Sequence, residues 1–252
     1  MGAFLPLAVV LTGMLIVIGV VSLLAGRKPT DRANRDSAVL LITMIGAIAY
    51  AALVSVGTLW SVVSTLAAPH VDVSLPVMSF WPDPRPGVFD ITGPTAQVVA
   101  GGFTVADVQV EGLDLPARSF LAAGTLVEGA VFILLATVIA MLCRQLRSEA
   151  PFASSLTSAL TGAGITLGIG GIVWQVLSAI GAVLAAQQTL RIDGWASSTA
   201  VDPADATAHG LPEPSLAASI EFWPIFIGLA LVAVAAAFRL GERMQSDTRG
   251  LV

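Results

Sequence analysis

Charge is what this sequence has least of. Asp, Glu, Lys and Arg make up 12% of its 252 residues, about half the share of an average soluble domain, while 56% are hydrophobic and the mean hydropathy is +0.86. That composition excludes a water-soluble monomer. One cysteine, Cys143, leaves no intramolecular disulfide and no thiolate metal site, and its place just before Arg144 reads as an inner-leaflet side chain. The two histidines, His70 and His209, lie in separate loops, and with Asp72, Asp202 and Asp205 they match no standard zinc spacing. No Walker loop, Gly-rich dinucleotide fingerprint, H-E-x-x-H or G-x-S-x-G occurs, so neither a cofactor nor an enzymatic activity is expected. No Lys or Arg precedes the first apolar run and no small-x-small site precedes Arg27, so that run reads as an uncleaved span rather than a signal peptide.

What the chain does contain is long apolar runs. Residues 1–26, 37–71 and 150–190 carry no Asp, Glu, Lys or Arg, and each exceeds the roughly 20 residues that a bilayer-crossing helix needs. The expected fold class is an all-α polytopic membrane bundle of five transmembrane helices, N-out and C-in, with a small extracytoplasmic β-containing cap. The spans are placed at 4–26, 38–65, 119–143, 156–187 and 217–239. Nine of the 12 Lys and Arg fall in the 27–37 loop, the 144–155 loop and the tail, all on one side of such a bundle, which the positive-inside rule makes cytoplasmic. Against them stand Asp31, Asp36, Glu149, Glu242 and Asp247, giving that side +4 and the remainder −9 of the formal net charge of −5. The acidity belongs to the outer face, and the inner face suits anionic lipid. Trp60 and Trp223 fall near outer span ends, where an interfacial belt would hold them.

Two segments would build the cap, 66–118 and 188–216. The first alternates at Val71, Val73 and Leu75, and its Gly101-Gly102 pair sits between Thr95–Ala100 and Phe103–Glu111, which reads as a hairpin. The alternation slips between Val105 and Val108, so a bulge is expected there. The second segment is rich in Ala, Asp, Ser and Pro and offers at most a short strand at Leu190–Asp193.

Within the spans, Glu128 lies about nine residues inside the third, roughly 13 Å deep by helical rise. A carboxylate there should face the bundle, be paired or be protonated; Ser55, Thr58 and Gln175 are partners at similar depth. It serves either as a proton or cation site or as a polar tie, between helices or up into the cap. In the fourth span Gly164, Gly168, Gly171, Gln175, Ser178 and Ala182 recur every three or four residues and form one stripe. Small residues let helices approach closely in lipid, within one chain or between copies in a homodimer. Arg239 and Arg243 lie one turn apart at the start of the tail, where they can meet lipid phosphates, and Leu251 and Val252 close it with apolar side chains.

The tail, GERMQSDTRGLV, resembles that of a bacterial membrane-protein family catalogued as domain of unknown function (DUF) 2975. The residues that carry the resemblance are Gly241, Met244, Gln245, Asp247, Gly250, Leu251 and Val252, with Pro151-Phe152 before a Gly-rich span. It extends loosely over 38–252, so the 1–26 helix looks like an addition to a four-span pattern, and Arg249 stands where members often carry an acid. The resemblance implies a multi-pass protein of the bacterial cytoplasmic membrane. Members are often encoded beside a small helix-turn-helix regulator, which implies a membrane partner for such a protein; the cytoplasmic segments here are too short to bind nucleic acid directly. The function expected is a non-enzymatic sensor or scaffold coupling the cap to a docking surface at 240–252. The alternative is a small transporter, or an accessory subunit of a membrane complex, using Glu128.

Overall fold

The computed structural model describes residues 32–81, 98–147, 154–192 and 212–249, with side chains over 38–81, 98–147, 157–192 and 212–241. The expected span at 4–26, the Pro151-Phe152 loop and residues 250–252 lie outside them. In chain order the elements are α1 (Arg32–Ala67), β1 (His70–Phe80), β2 (Phe103–Glu111), α2 (Leu115–Leu146), α3 (Ser154–Leu190) and α4 (Trp223–Arg249). All four helices contain a stretch long and apolar enough to cross a membrane, namely Ala38–Ala67, Leu115–Leu146, Thr157–Leu190 and Trp223–Gly241. This is the make-up of a multi-pass membrane protein.

Three of these helices overshoot the requirement. A crossing takes roughly 20 residues, whereas α1, α2 and α3 have 36, 32 and 37. The surplus turns are accounted for by a division of the chain into two compact units. One takes the chain to Thr58, Val127–Ile172 and the chain from Phe222; the other takes Leu59–Leu126 and Val173–Glu221.

In the first unit each helical stretch is close to a bilayer crossing in length. Its core joins Val138 of α2, Leu160 and Ala163 of α3 and Ala235 of α4, with Leu135, Leu231 and Phe238 against them. Most other apolar side chains of α1 and α4 are left uncovered by protein, including Ile45, Ile48, Leu53, Phe226 and Leu229. Lipid solvates such surfaces as well as a protein core does, so helix contacts here depend on close packing rather than on burial.

The second unit holds an antiparallel pair, β1 with β2, running in continuous register from His70↔Glu111 to Pro76↔Val105. The inward face of β1, Val71, Val73 and Leu75, is buried together with Val110, against Leu113 and Ala117 at the start of α2 and Ala185 and Ala186 near the end of α3. Each such branched side chain contributes about 1.5–3 kcal/mol, which an isolated two-stranded hairpin could not supply for itself. The outward face is polar: Ser74 donates to Asp107 Oδ1 at 2.5 Å, and His70 lies 3.9 Å from Glu111.

Two expectations about this region are corrected. The described partner of 103–111 is 70–80; of the expected run 95–100, residues 98–100 form no strand and 95–97 lie outside the described residues. Gly102 serves close approach rather than a tight turn, since a Cβ there would stand 2.5 Å from the Phe80 carbonyl oxygen. The irregularity falls on β1 between Pro76 and Phe80 rather than at Val105–Val108, because there Val77 bridges Pro214 instead. Met78 N donates to Glu213 O at 2.9 Å and Ser215 N to Pro76 O at 3.0 Å. Residues 213–215 thus extend the sheet on the free side of β1. The short strand expected at Leu190–Asp193 is not formed, for α3 continues through Leu190; Asp193 lies outside the described residues.

Candidate functional site

The α3 stripe makes a graded set of contacts. At Gly164 an added Cβ would lie 2.6 Å from the Gly228 carbonyl oxygen of α4, and at Gly171 one would run into Pro224 Cβ. Gly228 reciprocates, its own Cβ position lying 3.1 Å from Gly168 N. Ser178, further along, packs on Gly124 of α2. Within the chain, Gly164, Gly168 and Gly171 admit the first half of α4, and Ser178 meets α2.

Between Gly171 and Ser178 stands Gln175, whose side-chain amide is committed in both directions. Its Nε2 donates to Glu221 O at 3.0 Å, and its Oε1 accepts from Glu221 N at 2.6 Å. Residues 215–222 are irregular, and a peptide group without a helical or sheet partner is costly where water is scarce. Gln175 supplies that partner. Two residues later α4 begins at Trp223, with Pro224 in its first turn, where a missing N–H costs nothing. This is why the helix starts at 223 although the apolar run begins near 217. Replacing Gln175 with Ala is expected to speed amide exchange at residues 218–222 by about tenfold, since two hydrogen bonds contribute roughly 1–2 kcal/mol; exchange unchanged there would contradict the clasp.

Glu128 lies 13 residues into the candidate membrane stretch Leu115–Leu146. Its side chain is exposed on the single chain and makes no hydrogen bond or ion pair with a described residue. The close contacts of α2 are made beside it, by Gly129, whose added Cβ would collide with Thr58 Oγ1. Ser55, a partner expected from the sequence, instead donates to Ala51 O at 2.7 Å on its own helix. The level of Glu128 follows from contacts in the same unit. Gly170 meets Val131, and Gly171 meets Pro224 at the first turn of α4. Glu128, three residues before Val131, thus sits about one helical turn beyond the level at which α4 begins.

The residue that sequence reasoning missed is Arg118. By sequence it is only one of the three Lys and Arg outside the 27–37 loop, the 144–155 loop and the tail. Its Nε donates to Leu113 O at 2.9 Å and its Nη1 to Ala68 O at 2.7 Å, with longer contacts to the Thr65, Leu66 and Pro69 carbonyls. The last carbonyls of a helix have no partner within it and carry a partial negative charge, so this guanidinium caps α1. Its placement depends on the start of α2. Gly112, at φ +76°, turns the chain out of β2, and Asp114 caps the helix by accepting from Ala117 N at 3.0 Å. Gln188 Oε1 accepts from Asp114 N at 3.1 Å. The sequence signal was present in Asp114-Leu-Pro-Ala-Arg118: a cap, a helix-starting proline, and a cation in a first turn where an acid would be usual.

The tail residues divide. Gly241 is half-buried; Met244, Gln245 and Asp247 continue α4, their side chains outside the described residues; Gly250, Leu251 and Val252 lie beyond them. Trp60 is strongly exposed near the end of α1 and Trp223 partly exposed at the start of α4, whereas Trp174 is buried and Trp81 stacks on Phe103 with ring centres 5.3 Å apart. Among the described residues no group of three or more His, Cys, Asp or Glu could hold a metal ion. Comparison with family models, with curated proteins and with solved structures returns no match.

Proposed function

We propose that this chain is a non-enzymatic sensor or scaffold of the bacterial cytoplasmic membrane, in which the sheet with its bound 213–215 segment is an extracytoplasmic cap and the 240–252 tail a cytoplasmic docking surface. The observation that carries this reading is the short path from sheet to tail. Residues 213–215 are hydrogen-bonded to β1, Gln175 holds Glu221 six residues further on, and α4 starts at Trp223 and continues eight residues past the apolar stretch that ends at Gly241. A ligand or partner that displaces the sheet pulls on a helix whose far end is the tail.

The bilayer in this reading is crossed by the helix parts of the first unit. The 19-residue Trp223–Gly241 stretch spans roughly 28 Å, close to the thickness of the hydrocarbon layer. Trp223 and Glu128 then lie near one boundary of that layer, where an indole and a carboxylate are both tolerated. With the 4–26 segment as a further span the arrangement is N-out and C-in. The resemblance to DUF 2975 supplies the partner class, a small helix-turn-helix regulator. Transport through Glu128 has less behind it, because the acid, with Tyr50 as an electrostatic neighbour, forms no hydrogen bond or ion pair with a described residue.

Pull-down from native membranes with the full chain and with a chain lacking 241–252 tests the docking. A cytoplasmic protein retained by the first and lost from the second, with equal membrane insertion, is the expected result; identical recoveries would refute a docking role for the tail.

A further inference from the structure

We infer that the first unit carries a binding site for one anionic glycerophospholipid, its phosphate held by Arg144 and Arg147 and the upper part of an acyl chain lying between α1 and α2. A groove of about 520 Å³ opens there, lined by Met44 and Ile48 of α1, by Thr137 and Met141 of α2, and by the two arginines. Thr137, Met141 and Arg144 follow one another at steps of four and three residues, so they lie along one face of α2, and Arg147 lines the same groove from the turn just past the end of the helix at Leu146. This lining changes from apolar to cationic over ten residues, about 15 Å, which is the profile a phospholipid presents from chain to headgroup.

The floor of the groove asks for nothing polar. Thr137 Oγ1 already donates to Ile133 O at 2.8 Å, and Met44, Ile48 and Met141 offer flexible hydrocarbon. The mouth has unspent charge: both guanidinium groups are exposed, and neither forms a hydrogen bond or ion pair with a described residue. Two forks of N–H donors at a helix end match phosphate oxygens in charge and in geometry. A free phosphate would satisfy the arginines while leaving the apolar half of the groove unused, which is why a lipid is the occupant. The groove is separate from the cap and the tail, and it suits such a lipid whichever side of the membrane the arginines face.

Native mass spectrometry of the full chain, delipidated in neutral detergent and titrated with phosphatidylglycerol, phosphatidylcholine or soluble glycerol phosphate, tests it. Phosphatidylglycerol is expected to bind about thirtyfold more tightly than phosphatidylcholine, at roughly fivefold per basic residue near a phosphate. The double variant Arg144→Gln, Arg147→Gln should remove that preference and Arg239→Gln should keep it. Met141→Trp, which fills the groove and leaves both charges, should weaken both lipids. A preference that survives in the double variant, that falls equally with Arg239→Gln, or that glycerol phosphate abolishes at equal concentration would overturn the site.

Discussion

Replacing Arg118 with Ala is expected to destabilise the second unit by about 2–3 kcal/mol, lowering its thermal midpoint by roughly 5–10 °C. The side chain holds two carbonyls at 2.7 and 2.9 Å, Ala68 and Leu113, which belong to opposite ends of the β1–β2 excursion. Removing it frees the end of α1 from the start of α2 and leaves Thr65 and Leu66 as uncapped helix carbonyls. The sheet, seated by Val71, Val73 and Leu75, then loses one of its two anchors. Arg118→Lys should recover less than half of the loss, because an ammonium cannot reach several carbonyls from one plane as the guanidinium fork does. Differential scanning fluorimetry in nanodiscs, with proteolysis at 81–102 as a local probe, distinguishes the outcomes. Equal stability of the Ala variant and the unaltered chain would mean that water caps α1 equally well.

What could be read in the sequence were the features with a period or a long run. The spans expected at 38–65, 119–143 and 156–187 fall within α1, α2 and α3, because about 20 uncharged apolar residues have few alternatives to a helix. The alternation of Val71, Val73 and Leu75 is the buried face of β1. What could not be read was where a membrane-length helix continues beyond the need to cross. Residues 115–126 and 173–190 are apolar for a second reason, as supports for the sheet, and hydropathy alone does not separate the two. The pairing of β1 with 103–111 and with 213–215 was equally out of reach, since the local Gly-Gly signal competes with a partner that only the distant fold brings near. The clasp of Gln175 on Glu221 follows the same pattern: the amide was visible on a stripe of small residues, but its partner is a backbone 46 residues away.

The same stripe yields a contrast that sequence spacing alone would not suggest. Gly164 and Gly168 form a GxxxG element, and by spacing the two glycines are equivalent. In the fold they are opposite in sign. Gly164→Ala would drive a methyl group to 2.6 Å from the Gly228 carbonyl oxygen and 2.9 Å from Val232 Cγ2. A backbone carbonyl inside a helix cannot move aside as a side chain can, so α3 and α4 must separate, at a cost of about 1–3 kcal/mol. Gly168→Ala meets nothing within 4 Å, and the methyl group restricts the unfolded chain, a gain of about 0.5–1 kcal/mol for an unhindered helix position. Unfolding by denaturing detergent should therefore shift in opposite directions for the two variants. Gly171→Ala, aimed into Pro224, should follow Gly164→Ala. Were the stripe instead a seam between copies, all three substitutions would alter the oligomer distribution, and Gly168→Ala would disturb it as much as Gly164→Ala. The sign of the difference thus separates packing inside one chain from association between chains.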